Sequence, residues 1–309
     1  MTELQIRRIP FEFDEQVPFQ WNPANPDFGL MANAIGMLAI AFEKYIVAVT
    51  REVMPRLRDP EVAEEADAFL RQEAQHARAH RLHINALIKR YPGLRSTLDE
   101  AVADYDRLRE REPVEFHVAY IAALEATFTP LFKMMLDNRR SLFTPGDARV
   151  ASLFVWHFVE EIEHRSSALV IYHGLVDDPW FRTRVARRAF GHAVGVYRGI
   201  IEGFERHVPR RDRLVDTRRV MPRQIWLREM GARLPVAGRR VAAGRYPTPF
   251  QGVPMAQLAM TFVRLLRSQA PRHRPAEEPL PALAATWFDA YDRGTDMTRF
   301  EGAALKSAS

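Results

Sequence analysis

The sequence predicts an all-α protein: a four-helix bundle with additional C-terminal helices. Three observations carry that prediction. Strand signals are almost absent. Asn25-Pro26, Asp59-Pro60 and Asp178-Pro179 each place an N-cap side chain before a proline suited to a first helical turn. Long apolar-periodic runs follow these starts and stop at Met54-Pro55, Pro92-Gly93 and the Asp137-Asn138 region.

Taken in order, the punctuation predicts helices over 26–54, 60–91, 113–139 and 146–176, then one over 179–207. Glu112-Pro113 and Thr144-Pro145 serve as weaker starts. Pro130 is expected to kink the third helix, because it lacks the N–H of the helical ladder. A shorter helix over 94–111 fills the second connection. After residue 208, prolines and arginines become frequent and only 223–233, 254–269 and 282–294 read as weakly helical. The expected organisation is therefore a bundle over 1–207 and an Arg/Pro-rich, partly helical extension over 208–309. That extension could cover the bundle, mediate oligomerisation or stay partly disordered.

With 309 residues and 47% hydrophobic content, the chain can bury a substantial core. The absence of cysteine excludes disulfides, thiolate metal sites, iron–sulfur clusters and thiol nucleophiles, so any metal must be held by Glu, Asp and His. The N-terminus lacks a basic-then-apolar leader, and the apolar stretch Gly29 to Phe42 is too short to span a bilayer, which leads to the expectation of a cytoplasmic protein. The net charge of +5 hides an asymmetry: residues 181–240 carry 16 Arg and no Lys for +11, whereas residues 1–180 carry −8. No nucleic-acid motif accompanies the basic segment, so a solvated face is the plainer reading and peripheral membrane contact through 181–240 the more specific one.

Two Glu-x-x-His pairs, Glu73 with His76 and Glu161 with His164, stand out. Three residues advance a helix by about 300°, so each pair projects from one face a turn apart and can reach one metal. Chance alone supplies roughly 0.7 such pairs in this composition, so context must decide. Glu43 and Glu125 supply that context, each a lone carboxylate on an otherwise apolar helix face, where an unpartnered charge is costly. All these residues fall within about 5 Å of the estimated midpoints of the four helices, the only depth at which bundle helices converge regardless of direction. His157 lies four residues before Glu161 and seven before His164, rotations of about +40° and −20°, so it shares their face. The expected metal ligands are thus Glu43, Glu73, His76, Glu125, Glu161 and His164, with Glu73, Glu125 or Glu161 able to bridge, while His157 is either a further ligand or a core histidine hydrogen-bonded to a neighbouring carboxylate. His80 shares the ligand face and could support a ligand from behind, though packed or solvated is the plainer reading; Glu160 reads as an outer group or a substitute for Glu161, and Tyr45, Tyr120 and Tyr172 as packing residues. Gly36 and Ala39 are small residues that either leave space beside the metals, lined by Phe128 and Phe132, or let helices pack closely.

One Glu from each of two helices and Glu-x-x-His from each of two others resembles the ferritin-like diiron carboxylate superfamily, over about residues 26–176. The Gln72-Glu73-x-x-His76 and Glu160-Glu161-x-Glu163-His164 contexts also resemble the bacterial "predicted metal-dependent hydrolase" family. His157-x-x-x-Glu161-x-x-His164 is similar to the fourth-helix motif of diiron arylamine N-oxygenases, which implies His157 as a seventh ligand. These resemblances imply two metal ions, iron first and manganese or zinc as substitutes, with Glu43, Glu125 and Glu161 as catalytic carboxylates. The expected activity is O2-dependent oxidation or oxygenation of a small organic molecule, fed by an electron donor that the sequence does not name. The alternative is hydrolysis through a metal-bridging water, and a third reading is non-enzymatic iron binding. A homodimer is a further expectation.

Overall fold

The computed structural model describes residues 4–233 and 246–301. Every regular element among them is helical. α1 (Pro26–Val53) starts where Asn25 accepts from the Phe28 N–H, and α2 (Pro60–Arg90) where Asp59 accepts from the Glu61 N–H, so both Asx-Pro starts act as read. α3 (Leu94–Arg111) fills the second connection, and α4 (Val114–Asp137) continues through Pro130. After a single turn, α5 (Arg139–Leu142), α6 (Ala148–Glu163) is capped by Asp147, which accepts from Arg149 and Val150 N–H groups. That carboxylate displaces Thr144 from the expected start, because it reaches two orphan donors at once.

The predicted 146–176 helix is in fact two. α6 ends at Glu163, His164 is its C-cap, and α7 (Ser167–Leu175) follows. The Arg165 guanidinium takes over the Ile162 carbonyl at 2.8 Å, and the Ser166-Ser167 pair does little to continue a helix. His164 keeps its backbone bond to the Glu160 carbonyl at 3.0 Å, so the Glu-x-x-His spacing stays helical across the break. α8 (Phe181–His207) then packs across α1, α3 and α4. It starts two residues later than expected, with Trp180 rather than Asp178 at its N-cap; Asp178 instead closes the preceding turn by accepting from the Trp180 N–H.

Cross-helix neighbours set the topology. Gly36 faces His80, and Glu43 shares a donor group with His76, so α1 and α2 run antiparallel. His157 meets His80 and Glu160 meets His76, so α6 runs against α2. Phe132 stacks on Phe158, with centroids 3.9 Å apart, and Glu125 shares a donor group with Glu161 and His164, so α4 runs against α6. The order is up, down, down, up, with the connection through α3 crossing the bundle. α1 is the helix among the described residues that is long and apolar enough to cross a membrane, longer than the stretch 29–42 read from the sequence; 72% of its apolar window is buried inside the bundle.

Residues after 208 pack on this frame: the turn α9 (Arg210–Arg213), then α10 (Pro222–Arg233), α11 (Met255–Ser268) and α12 (Ala282–Asp292). α11 lies on α4, and Glu301 ties the chain end to Arg139, Thr144 and Ser152. Two arginines of the basic segment, Arg219 and Arg228, converge on the fully buried Asp27. Of the expected basic segment and C-terminal extension, residues 234–240 and 302–309 lie outside the described residues.

Candidate metal centre

The bundle brings the seven expected ligands together. Glu43 comes from α1, Glu73 and His76 from α2, Glu125 from α4, His157 and Glu161 from α6, and His164 from its C-cap; none is more than 3% exposed. They form two groups, Glu43, His76, His157 and Glu161 in one, Glu73, Glu125, Glu161 and His164 in the other, with donor atoms inside each group within 4.8 Å of one another. Glu161 belongs to both. Its Oε1 faces His157 Nε2 at 2.8 Å and its Oε2 faces His164 Nε2 at 3.0 Å, so the two oxygens of one carboxylate point into different groups. Glu43 Oε1 lies 3.2 Å from His157 Nε2, and Glu73 Oε1 lies 3.2 Å from His164 Nε2.

Each histidine is held at one nitrogen and turns the other toward the carboxylates. His164 Nδ1 lies 2.9 Å from Gln72 Oε1. The Gln72 amide nitrogen donates to Glu163 at 2.7 Å and to the Gln5 carbonyl at 3.0 Å, so its oxygen is the accepting end and His164 carries its proton on Nδ1. His76 Nε2 meets Glu160 Oε2 at 2.9 Å, leaving Nδ1 facing Glu161 at 3.5 Å. His157 Nδ1 lies 2.8 Å from His80 Nε2. Outside this ring, Arg7 bridges Glu160 at 3.2 Å and Glu163 at 2.8 Å, with Phe288 of α12 4.5 Å from its guanidinium carbon. Outer partners of this kind fix imidazole orientation and tautomer.

The electrostatics ask for cations. Burial first, and then the neighbouring carboxylates, push Glu73 and Glu125 well above the usual carboxylate range. Glu161 also suffers burial, but His164, His157 and His76 together hold it well below that range. His76 resists burial through Glu160 and Glu161 and rises to about 10. Glu43 Oε2, both Glu73 oxygens, Glu125 Oε1 and His76 Nδ1 are buried and find no hydrogen-bond partner among the described residues. Orphaned lone pairs converging in a protein interior are the pattern that bound cations satisfy, and the all-oxygen-and-nitrogen donor set fits metal ions.

The structure corrects several outer readings. His80 is neither solvated nor a plain packing group, since it is fully buried and holds His157. Glu160 lies outside the two groups, against Arg7 and the outer nitrogen of His76, as an outer group rather than a substitute for Glu161, which is the shared carboxylate. Gly36 leaves no room beside the site: a Cβ there would stand 3.0 Å from His80 Nδ1 and 3.3 Å from Phe154. Phe128 and Phe132 pack on each other at 5.0 Å and on Phe42 and Phe158, as core neighbours. Tyr45 bonds His117, Tyr120 bonds Tyr105 and His192, and Tyr172 bonds the Asp178 carbonyl, in keeping with packing roles. Arg7 escaped the sequence reading entirely, because no local pattern ties it to a helix more than 60 residues away; Gln72 was visible only as the neighbour of Glu73.

Fold and site together define an all-helical protein with a buried glutamate–histidine centre fit for metal. The chain belongs to the family described as "Predicted metal-dependent hydrolase", whose profile matches residues 5–238, well over half its length. That description agrees with the hydrolase alternative and says nothing of oxygen chemistry. No match is found among curated proteins or among solved structures.

Proposed function

We propose that this chain is an enzyme working through two metal ions held by Glu43, Glu73, His76, Glu125, His157, Glu161 and His164. The observation that carries the proposal is the shared carboxylate: each oxygen of Glu161 faces the ligand nitrogen of a different histidine. The donor pattern and the up-down-down-up helix order support a ferritin-like dinuclear centre. When bound, such a metal pair supplies Lewis acidity and an activated water or, if it is iron, electrons for dioxygen. The chain's own contribution is positional. Gln72, Glu160 and His80 fix the three imidazoles, and the buried bundle keeps bulk water from the carboxylates. Glu73 and Glu125, which burial biases toward the neutral form, can hold a proton until a cation displaces it.

Hydrolysis of a small ester or phosphate is the reaction that the family description supports. The donor set favours a second reading: four buried carboxylates with three imidazoles and no thiolate suit iron or manganese, and a closed site suits a co-substrate as small as dioxygen. Glu43, Glu125 and Glu161 are the carboxylates proposed to meet the reacting atoms in either case. Metal analysis with absorption spectroscopy before and after reduction and re-aeration separates the readings. Zinc or manganese with esterase or phosphatase activity that is indifferent to air supports hydrolysis; iron with absorption bands that return on aeration supports oxidation. Glu161→Ala should abolish both ions and either activity. Full retention of metal by that variant sinks the dinuclear proposal.

A further inference from the structure

The far side of the C-terminal helices carries an apolar surface that the metal centre does not use. On α11 the side chains of Met260, Phe262, Val263 and Leu266 point outward, with Leu266 62% and Phe262 56% exposed; on α10 Trp226 is 59% exposed. Between the two helices runs an apolar groove of about 350 Å³, floored by Leu131 and Met134 of α4. Scattered apolar side chains need no explanation, but a contiguous strip on two adjacent helices marks a surface that meets something other than water.

Charge tells what that is. Across α10 and α11 the one acidic residue is Glu229, and it is buried and paired with Arg233. The exposed charged groups on the two helices are cationic, Arg223 beside Trp226 and Arg267 beside Leu266, with Arg272 beyond the helix end. At the C-terminal end of α11, Arg182 binds the Ser268 and Ala270 carbonyls, which brings the arginine-rich start of α8 alongside. An apolar strip with a tryptophan, on two helices whose exposed charges are arginines and whose neighbouring acids, Glu278 and Asp137, are already paired with Arg264 and Lys133, matches the headgroup boundary of an anionic bilayer. A second copy of the chain would set the same arginines against each other.

We infer that the α10–α11 face seats the protein on an anionic phospholipid surface, with Trp226, Phe262 and Leu266 entering the acyl boundary and Arg223 and Arg267 contacting lipid phosphates. This inference is independent of the reaction catalysed at the metal centre.

The test is flotation of the full chain with vesicles of phosphatidylcholine alone or mixed with phosphatidylglycerol. Binding to the mixed vesicles that weakens with salt is expected, with roughly tenfold loss in Phe262→Glu/Leu266→Glu and a smaller loss in Arg223→Gln/Arg267→Gln. All four positions are solvent-facing, so helix content and metal content should not change, and both are measured alongside. No binding to anionic vesicles at low salt overturns the inference, as does equal binding by the apolar variant. A dimer in light scattering that Phe262→Glu/Leu266→Glu dissociates, without vesicle binding, would assign the face to a second copy instead.

Discussion

His80 Nε2 lies 2.8 Å from His157 Nδ1, and His80 itself is pinned by Gly36, where an added Cβ would stand 3.0 Å from its other ring nitrogen. One glycine on α1 therefore governs the orientation of a candidate ligand on α6 through a histidine on α2.

His80→Ala should lower metal affinity by roughly 10–100-fold without deleting any ligand, as loss of an outer-shell partner does. Gly36→Ala should move affinity the same way, because it displaces His80 rather than removing it. Competition with a chromophoric chelator measures both. Unchanged affinity in His80→Ala would reduce His80 to a packing residue.

Metal binding should release protons and tighten as pH rises. Glu73 and Glu125 are held toward their neutral forms, and His76 is raised to about 10, so cations must displace protons from the site. Calorimetry in two buffers of different ionisation enthalpy reads the number released. The metal-free protein should show the linked trend: carboxyls with raised folded pKa favour the fold at low pH, and that contribution is lost as pH rises above the ordinary glutamate value of 4.5. Metal-free Glu73→Gln should therefore gain stability relative to the metal-free parent as pH rises from 5 to 8, and a gap between the two that does not widen would contradict this account of the site.

His83 is fully buried with neither ring nitrogen bonded among the described residues, and burial lowers its pKa to about 4. Between that value and the ordinary 6.5, the unfolded chain binds a proton that the folded chain refuses, so stability falls as pH drops through this window, by up to about 3 kcal/mol. His83→Leu should flatten the urea midpoint between pH 6.5 and 4 and leave neutral-pH stability equal or higher, since it removes two unsatisfied polar atoms. An unaltered acid slope in that variant would refute the assignment.

The elements most legible in sequence were those whose cause is local. Asn25 and Asp59 cap the helices they were expected to cap, because an N-cap bond spans three residues or fewer. The break after Glu163 was not legible. It turns on the Arg165 guanidinium reaching the Ile162 carbonyl, a choice of rotamer, and Arg165 is also held by the Pro275 carbonyl from 110 residues away.

Within the site, the sequence by itself determined that Glu73 shares a helix face with His76, and His157 with Glu161 and His164, because separations of three, four and seven residues fix helical rotation before any packing occurs; Glu43 and Glu125 were legible only as lone carboxylates at matching depth. It left Glu160 and Glu161 both open as the ligand. Only the tertiary structure decided between them: Arg7, 153 residues from Glu160, draws that carboxylate outward to His76 Nε2 and leaves Glu161 between the two groups. The same holds for which nitrogen each histidine presents. Gln72, Glu160 and His80 are fixed opposite their imidazoles by helix packing, and hydrogen bonds of that range exist only once α2 and α6 have met.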